Sequence, residues 1–247
     1  MSDGDQSEAS GWVEFDWTRE RYEDLIRRVV PEYDEQESLM AEAVRAALPS
    51  AGRGPFRILE LGSGTGTLSR FLLKVFPEAE LTALDVSPAM VAECQEVLAC
   101  FGARVRVVEA GLATADLGEG YQAVVSRLAI HHLPHAEKRA LFDRVLTALA
   151  PGGVFVDSDM IAGENEAEAA AILDEWRAYM VSRGDDPAEW EEWLVGDDDF
   201  PGSAQGRLTW LREAGFADVQ IIWKRANFAI IRALKPRGSS GGEDAGG

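Results

Sequence analysis

The chain has 247 residues, 46% of them hydrophobic, and 24 Lys and Arg against 43 Asp and Glu leave a net charge of −19. That length suits one α/β domain with an accessory segment and is ample for a buried core. The charge repels polyanions and so disfavours nucleic acid as a partner, and the apolar runs fall short of the roughly 18 residues a membrane helix needs.

In chain order, the opening "MSDGDQSEAS" is acidic and polar, unlike a signal or transit peptide, and residues 1–10 read as a disordered tail. Residues 11–50 read as a helical cap. Apolar residues recur at helical spacing from Thr18 to Leu48 in two blocks split by Pro31, and Leu39, Met40, Ala43, Val44 and Ala47 share one face of the second block. Strands are expected at Phe56–Leu61, Glu80–Leu84, Val105–Glu109, Ala123–Ser126 and Val154–Asp157, with helices at Leu68–Val75, Pro88–Cys100 and Ala136–Leu149 between them. Cys94 and Cys100 have neither a metal-ligand spacing nor a disulfide framework, and read as free thiols of a reducing compartment, the cytoplasm.

After the fifth strand the rhythm breaks. Residues 163–203 read as a helical, acidic insert carrying Trp176, Trp190 and Trp193. A helix stopped at Gly215 follows, then strands Val219–Lys224 and Asn227–Leu234, too close for anything but a hairpin, so the last runs antiparallel. The expected fold is a Rossmann-like, seven-stranded, mostly parallel sheet with helices on both faces, spanning residues 51–235. Residues 236–247 read as a second disordered tail.

The stretch Leu59–Ser69, "LELGSGTGTLS", is an apolar run entering a glycine turn that opens a helix. It lacks the Gly-Lys-Ser/Thr ending of a triphosphate loop, and its G-x-G-x-G spacing fits the dinucleotide fingerprint imperfectly. Glu60, at the strand end before the glycines, would repel a pyrophosphate and suits a ligand bearing a cation. Asp85 ends the second strand, where a carboxylate can accept from both hydroxyls of a ribose. Together they describe a nucleoside whose other end is positive.

Here the sequence resembles the class I S-adenosylmethionine (SAM) dependent methyltransferases over about residues 30–235. The motifs are "ILELGSGTGTLS", "LTALDVSPAMV", "VVSRLAIHHL" and "LAPGGVFVDSD", in that order. The resemblance implies that Glu60, Gly62, Ser63, Gly64 and Gly66 line the methionine end of SAM, and that Asp85 and Val86 meet the ribose and base. Many relatives carry an adenine-binding aspartate where this chain has Gly111; the Leu112 backbone N–H, or Asp116, would serve instead. The layout is similar to a narrower group, the carboxy-SAM synthases of tRNA-uridine modification, in "VPEYDE", "SPAMVAEC" and "AGF…NFAIIRALK". That likeness implies cofactor contacts by Tyr33 and Arg127. The group's carboxylate-holding arginine ahead of the last helix is absent, with Glu192 at that place.

His131, His132 and His135 are the chain's three histidines and cluster after the fourth strand, at the carboxyl edge where ligands bind in open α/β sheets. His131 or His132 is the candidate base, against a packing role for "HHLP". No metal is expected, because imidazoles adjacent in sequence usually point apart; a metal would need a carboxylate such as Asp157 or Asp159. Trp190 and Trp193 are candidate substrate contacts, or seal the insert against the sheet. The leading expectation is methyl transfer from SAM to a small molecule through an O, N or C nucleophile, with S-adenosylhomocysteine as product. The alternatives are a SAM-modifying enzyme of the carboxy-SAM synthase type and a SAM-binding protein without catalysis. A homodimer is compatible with the sequence.

Overall fold

The structure, a computed structural model, describes residues 19–47, 56–191 and 199–237. The expected first tail, most of the second, the ends of the cap, Trp193 and Glu192 lie outside the described residues. Pro31 divides the first two helices, α1 (Arg19–Val29) and α2 (Tyr33–Ala47), and α2 buries Tyr33, Gln36, Glu37, Met40, Ala43 and Val44.

The strands are β1 (Phe56–Leu61), β2 (Ala79–Asp85), β3 (Val105–Glu109), β4 (Tyr121–Arg127), β5 (Leu149–Met160), β6 (Ala217–Arg225) and β7 (Phe228–Leu234). They form one sheet in the order β3-β2-β1-β4-β5-β7-β6, in which β7 alone runs against its neighbours. Helix α3 (Thr67–Val75) follows β1, α4 (Pro88–Leu98) follows β2 and α5 (His135–Ala148) follows β4. Pro88 and the Ser87 cap start α4 where the sequence places a helix, the Ser87 hydroxyl accepting from Met90 N.

Each sheet face has its own core. Ile58, Ala123, Val125, Val154 and Val156 pack with α2, α3 and α4, while Leu59, Val124 and Phe155 pack with α5 and α7 (Ala204–Ala214). This alternation along each strand is what a sheet covered on both faces requires. Because β2 and β4 lie on opposite sides of β1, the chain leaves β1 toward one face and β4 toward the other. That leaves a crevice at the carboxyl ends of the two central strands.

Among the described residues of the insert, α6 (Glu166–Ser182), a tight turn at Pro187–Glu189 and Glu191 are helical; Gly184 takes φ +83 just past α6. Asp199–Ser203 returns extended, and Ser203 bridges to Ala162 beyond β5. Trp176 is wholly buried and donates from Nε1 to the Val29 carbonyl at 2.9 Å, sealing α6 onto α1.

Candidate functional site

Glu60, next to last in β1, and Asp85, last in β2, stand at the crevice. Glu60 is 1% exposed and accepts from the Ser69 hydroxyl in the first turn of α3. Burial pushes its carboxyl up to about 8, with Ser69 and Arg127 opposing the shift. Asp85 accepts from Gly64 N at 2.8 Å and from Ser87 N at 2.9 Å. Burial raises its carboxyl too, against those backbone donors and nearby His132.

The glycine turn is shaped by close approach. A Cβ on Gly62, at φ +71, would sit 2.1 Å from Ala129 Cβ, so only glycine lets the β1 turn meet the β4 turn. A Cβ on Gly64 would project into open space. Three loop amides are already used: Ser63 N donates to Leu84 O at 2.8 Å, Gly66 N to Ser63 O at 2.9 Å, and Gly64 N to Asp85. A phosphate cradle needs such amides aimed outward, so this loop is not one. Val86 is 54% exposed beside the crevice, and a Cβ on Gly111 would lie 3.7 Å from it. Leu112 is half-buried; its carbonyl accepts from Arg144. Asp116 is exposed and turned to Gly118 N at 3.0 Å.

Arg127 closes β4 on the α2 face. Its guanidinium lies 4.0 Å over the Tyr33 ring, and Nη2 donates to Tyr33 Oη at 2.6 Å and to Glu37 Oε1 at 3.0 Å. Burial works against its charge, but Tyr33, Glu37 and Glu60 hold the group above its ordinary value. Its Nη1 is buried with no partner among the described residues, and the Ser63 hydroxyl is buried with only the Cys94 thiol beside it. Both can donate to a bound acceptor. Leu128, next in the chain, takes a left-handed φ of +52 and donates its N–H to Ser158 O at 2.9 Å.

Past that turn the chain serves the other face. His131 is buried, with Nδ1 2.5 Å from Asp159 Oδ1 and Nε2 3.7 Å from Asp199 Oδ1. His132 Nδ1 lies 2.7 Å from the same Asp199 oxygen. The two rings do not point apart, as adjacency suggests; their centroids are 3.9 Å apart. The Leu133 and Pro134 turn and the returning Asp199 hold them side by side. Arg207, from α7, donates to Asp157 at 2.8 Å and to Asp159 at 3.1 Å, wholly buried. Burial tends to raise both carboxyls; it prevails at Asp157, while His131 and Arg207 hold Asp159 below the usual carboxylate range. Lys138 ties the layer together, its ammonium donating to the carbonyls of His131 (3.0 Å), Leu133 (2.5 Å) and Phe200.

The sequence-chosen residues therefore fall into two groups at one sheet edge: Tyr33, Glu60, Gly62–Gly66, Asp85 and Arg127, and the histidine pair. Trp190 packs with the α1 and α6 core that also holds Tyr33, and the Arg28 guanidinium lies 5.6 Å from its ring. Glu37, Asp199 and Arg207 were not singled out from sequence, where acids and arginines on helices read as solvated faces.

A family model described as "Methyltransferase domain" matches residues 58–153. Over 87% of its length the chain is similar to the carboxy-S-adenosyl-L-methionine synthase of Nautilia profundicola, at 24% identity over 90% of that protein. It is similar to that of Chromohalobacter salexigens at 28% identity, again over 87% of this chain and 80% of the relative. Among solved structures, an O-methyltransferase family protein from Burkholderia thailandensis matches with a TM-score of 0.66 and 18% identity over 89% of this chain. The chain spans 60% of that protein's length, and the likeness is one of fold.

Proposed function

The chain belongs to the class I SAM-dependent methyltransferase superfamily, and on that premise we propose that it transfers a methyl group from SAM to a small-molecule acceptor. One observation carries this reading. A crevice with the buried Glu60 and half-buried Asp85 carboxylates and an inward-bonded glycine loop lies beside a buried histidine–aspartate layer, at the same switch point of the sheet.

The residues present fit SAM. Glu60, with its carboxyl pushed up to about 8 by burial, would hold the methionine ammonium. Arg127 Nη1, without a partner among the described residues, and the Ser63 hydroxyl would meet the methionine carboxylate. Asp85, fixed by Gly64 N and Ser87 N, keeps acceptor capacity for the ribose, and Val86 with Gly111 and Leu112 would flank the adenine. The open space above Gly64 leaves room for close approach. SAM supplies a methyl group made electrophilic by its positive sulfur.

The chain's own task is alignment and proton handling. His131, His132 and Asp199 receive the acceptor and take up the proton it loses. Asp159 accepts from His131 Nδ1 and so turns the Nε2 lone pair toward the crevice. Residues 51–235 carry the reaction, and residues 11–50 with the 163–203 insert cover it. Turnover with methyl-labelled SAM tests the reading: His131→Ala should lower the rate ~100-fold or more. An unchanged rate in both His131→Ala and His132→Ala would remove the histidines from the mechanism.

A second reading, a SAM-modifying enzyme of the carboxy-SAM synthase type, is favoured by similarity along nearly the whole of both chains. Arg127 would then offer the cation for the added carboxylate. The mass of the co-purified nucleoside separates the two.

A further inference from the structure

We propose that His131, His132 and Asp199 form a divalent-metal site, with Asp159 as the carboxylate that orients its first ligand. The inference deepens the proposed function by giving the acceptor an anchor, and it rests on that reading only for the acceptor's role.

The donor atoms of the three side chains lie within 4.8 Å of one another, a span one cation can bridge. They come from two segments far apart in sequence, held together by Phe200 N donating to His131 O at 2.9 Å and by the Lys138 ammonium binding both. The cluster is therefore built into the fold. His131 carries the supporting pattern of a metal-bound imidazole: Nδ1 donates to a buried carboxylate, which fixes the tautomer and leaves the Nε2 lone pair for a cation. Asp159 is itself fixed, accepting from Met160 N at 2.8 Å and from Arg207.

Two imidazoles and one carboxylate make a nitrogen-rich set, suited to zinc, cobalt or nickel ahead of magnesium or calcium. Three protein donors leave a fourth position open toward the crevice. An acceptor with an oxygen or nitrogen donor fits there, such as a hydroxyl, a phenol or an amine. Ligation would lower the pKa of that group, so that its proton leaves to solvent and the metal takes over the activating role of the imidazole. Binding at His132 Nδ1 would leave the ring proton on Nε2 and replace the contact with Asp199.

The test is calorimetric titration of the chelator-treated full chain with zinc chloride, and with cobalt chloride for the visible spectrum of a four-coordinate site. One equivalent should bind, and His132→Gln and Asp199→Asn should each weaken it by ~10-fold or more. Circular dichroism and melting temperature, measured on the same variants, report whether they fold. No uptake by the wild-type chain, or uptake equal in folded variants, overturns the site. If SAM-dependent turnover then persists in chelator, the methyltransferase reading stands while the metal site fails.

Discussion

Asp159 stands between His131 and Arg207, with Oδ1 2.5 Å from the imidazole Nδ1 and Oδ2 3.1 Å from the guanidinium Nη2. One side chain thus joins the reactive edge of the sheet to the packing of α7. Arg207→Met leaves Asp157 and Asp159 buried without their cation, which costs about 3–5 kcal/mol and lowers the melting temperature by roughly 6–20 °C. A thermal melt at neutral pH checks this; an unaltered midpoint would mean that the two carboxylates find other partners.

Glu60 sets a pH dependence whose sign is fixed. The folded protein holds the Glu60 proton up to about pH 8, while the unfolded chain releases it near 4.5. Between those values the native state binds more protons, so its contribution to stability declines as pH rises. Glu60→Gln, neutral and similar in shape, removes that contribution. Melts of ligand-free protein across this range should show the variant gaining on the wild type as pH increases. Parallel curves would put Glu60 in a more polar setting than its burial indicates.

Gly62 and Ala129 touch across the β1 and β4 turns. Gly62→Ala drives two methyl carbons to 2.1 Å and should abolish SAM binding by prying the turns apart. Adding Ala129→Gly removes the collision and should restore much of the affinity, leaving the ~1–2 kcal/mol cost of a left-handed alanine. Calorimetry on the single and double variants decides it. A double variant no better than the single would place the damage in backbone strain alone.

Asp85→Ala removes the acceptor for Gly64 N and Ser87 N and the charge offered to the ribose. Hydrogen bonds to a charged group are each worth ~1.5–3 kcal/mol, so SAM affinity should fall roughly 10- to 100-fold or further. Equilibrium dialysis with labelled SAM measures it, and wild-type affinity in the variant would remove Asp85 from the cofactor seat.

The sheet and the crevice at its carboxyl edge were legible because their signals are local. β1 and β2 are mostly apolar runs with an acid at or next to the end, Glu60 and Asp85, and the glycines after β1 announce the turn. The histidine pair was visible as a cluster, but its partners were not. Asp199 sits in "GDDDF", which reads as a solvated acidic run, and only the return of the chain onto His131 buries its side chain to 13% exposure. Arg207 looks like one more surface arginine until β5 places Asp157 and Asp159 beneath it. Lys138 and Glu37 escaped notice for the same reason. The Ala- and Glu-rich start of the insert reads as helical and forms α6, which ends ahead of Gly184, and Pro187 opens the next turn.

The most direct test of methyl transfer is to incubate the full chain with methyl-labelled SAM and a fractionated small-molecule extract, then follow the label and the nucleoside together. The account predicts that label appears on one small molecule with an equal amount of S-adenosylhomocysteine, and that Asp85→Ala abolishes both. Label that stays on a nucleoside grown heavier by a carboxylate would contradict it.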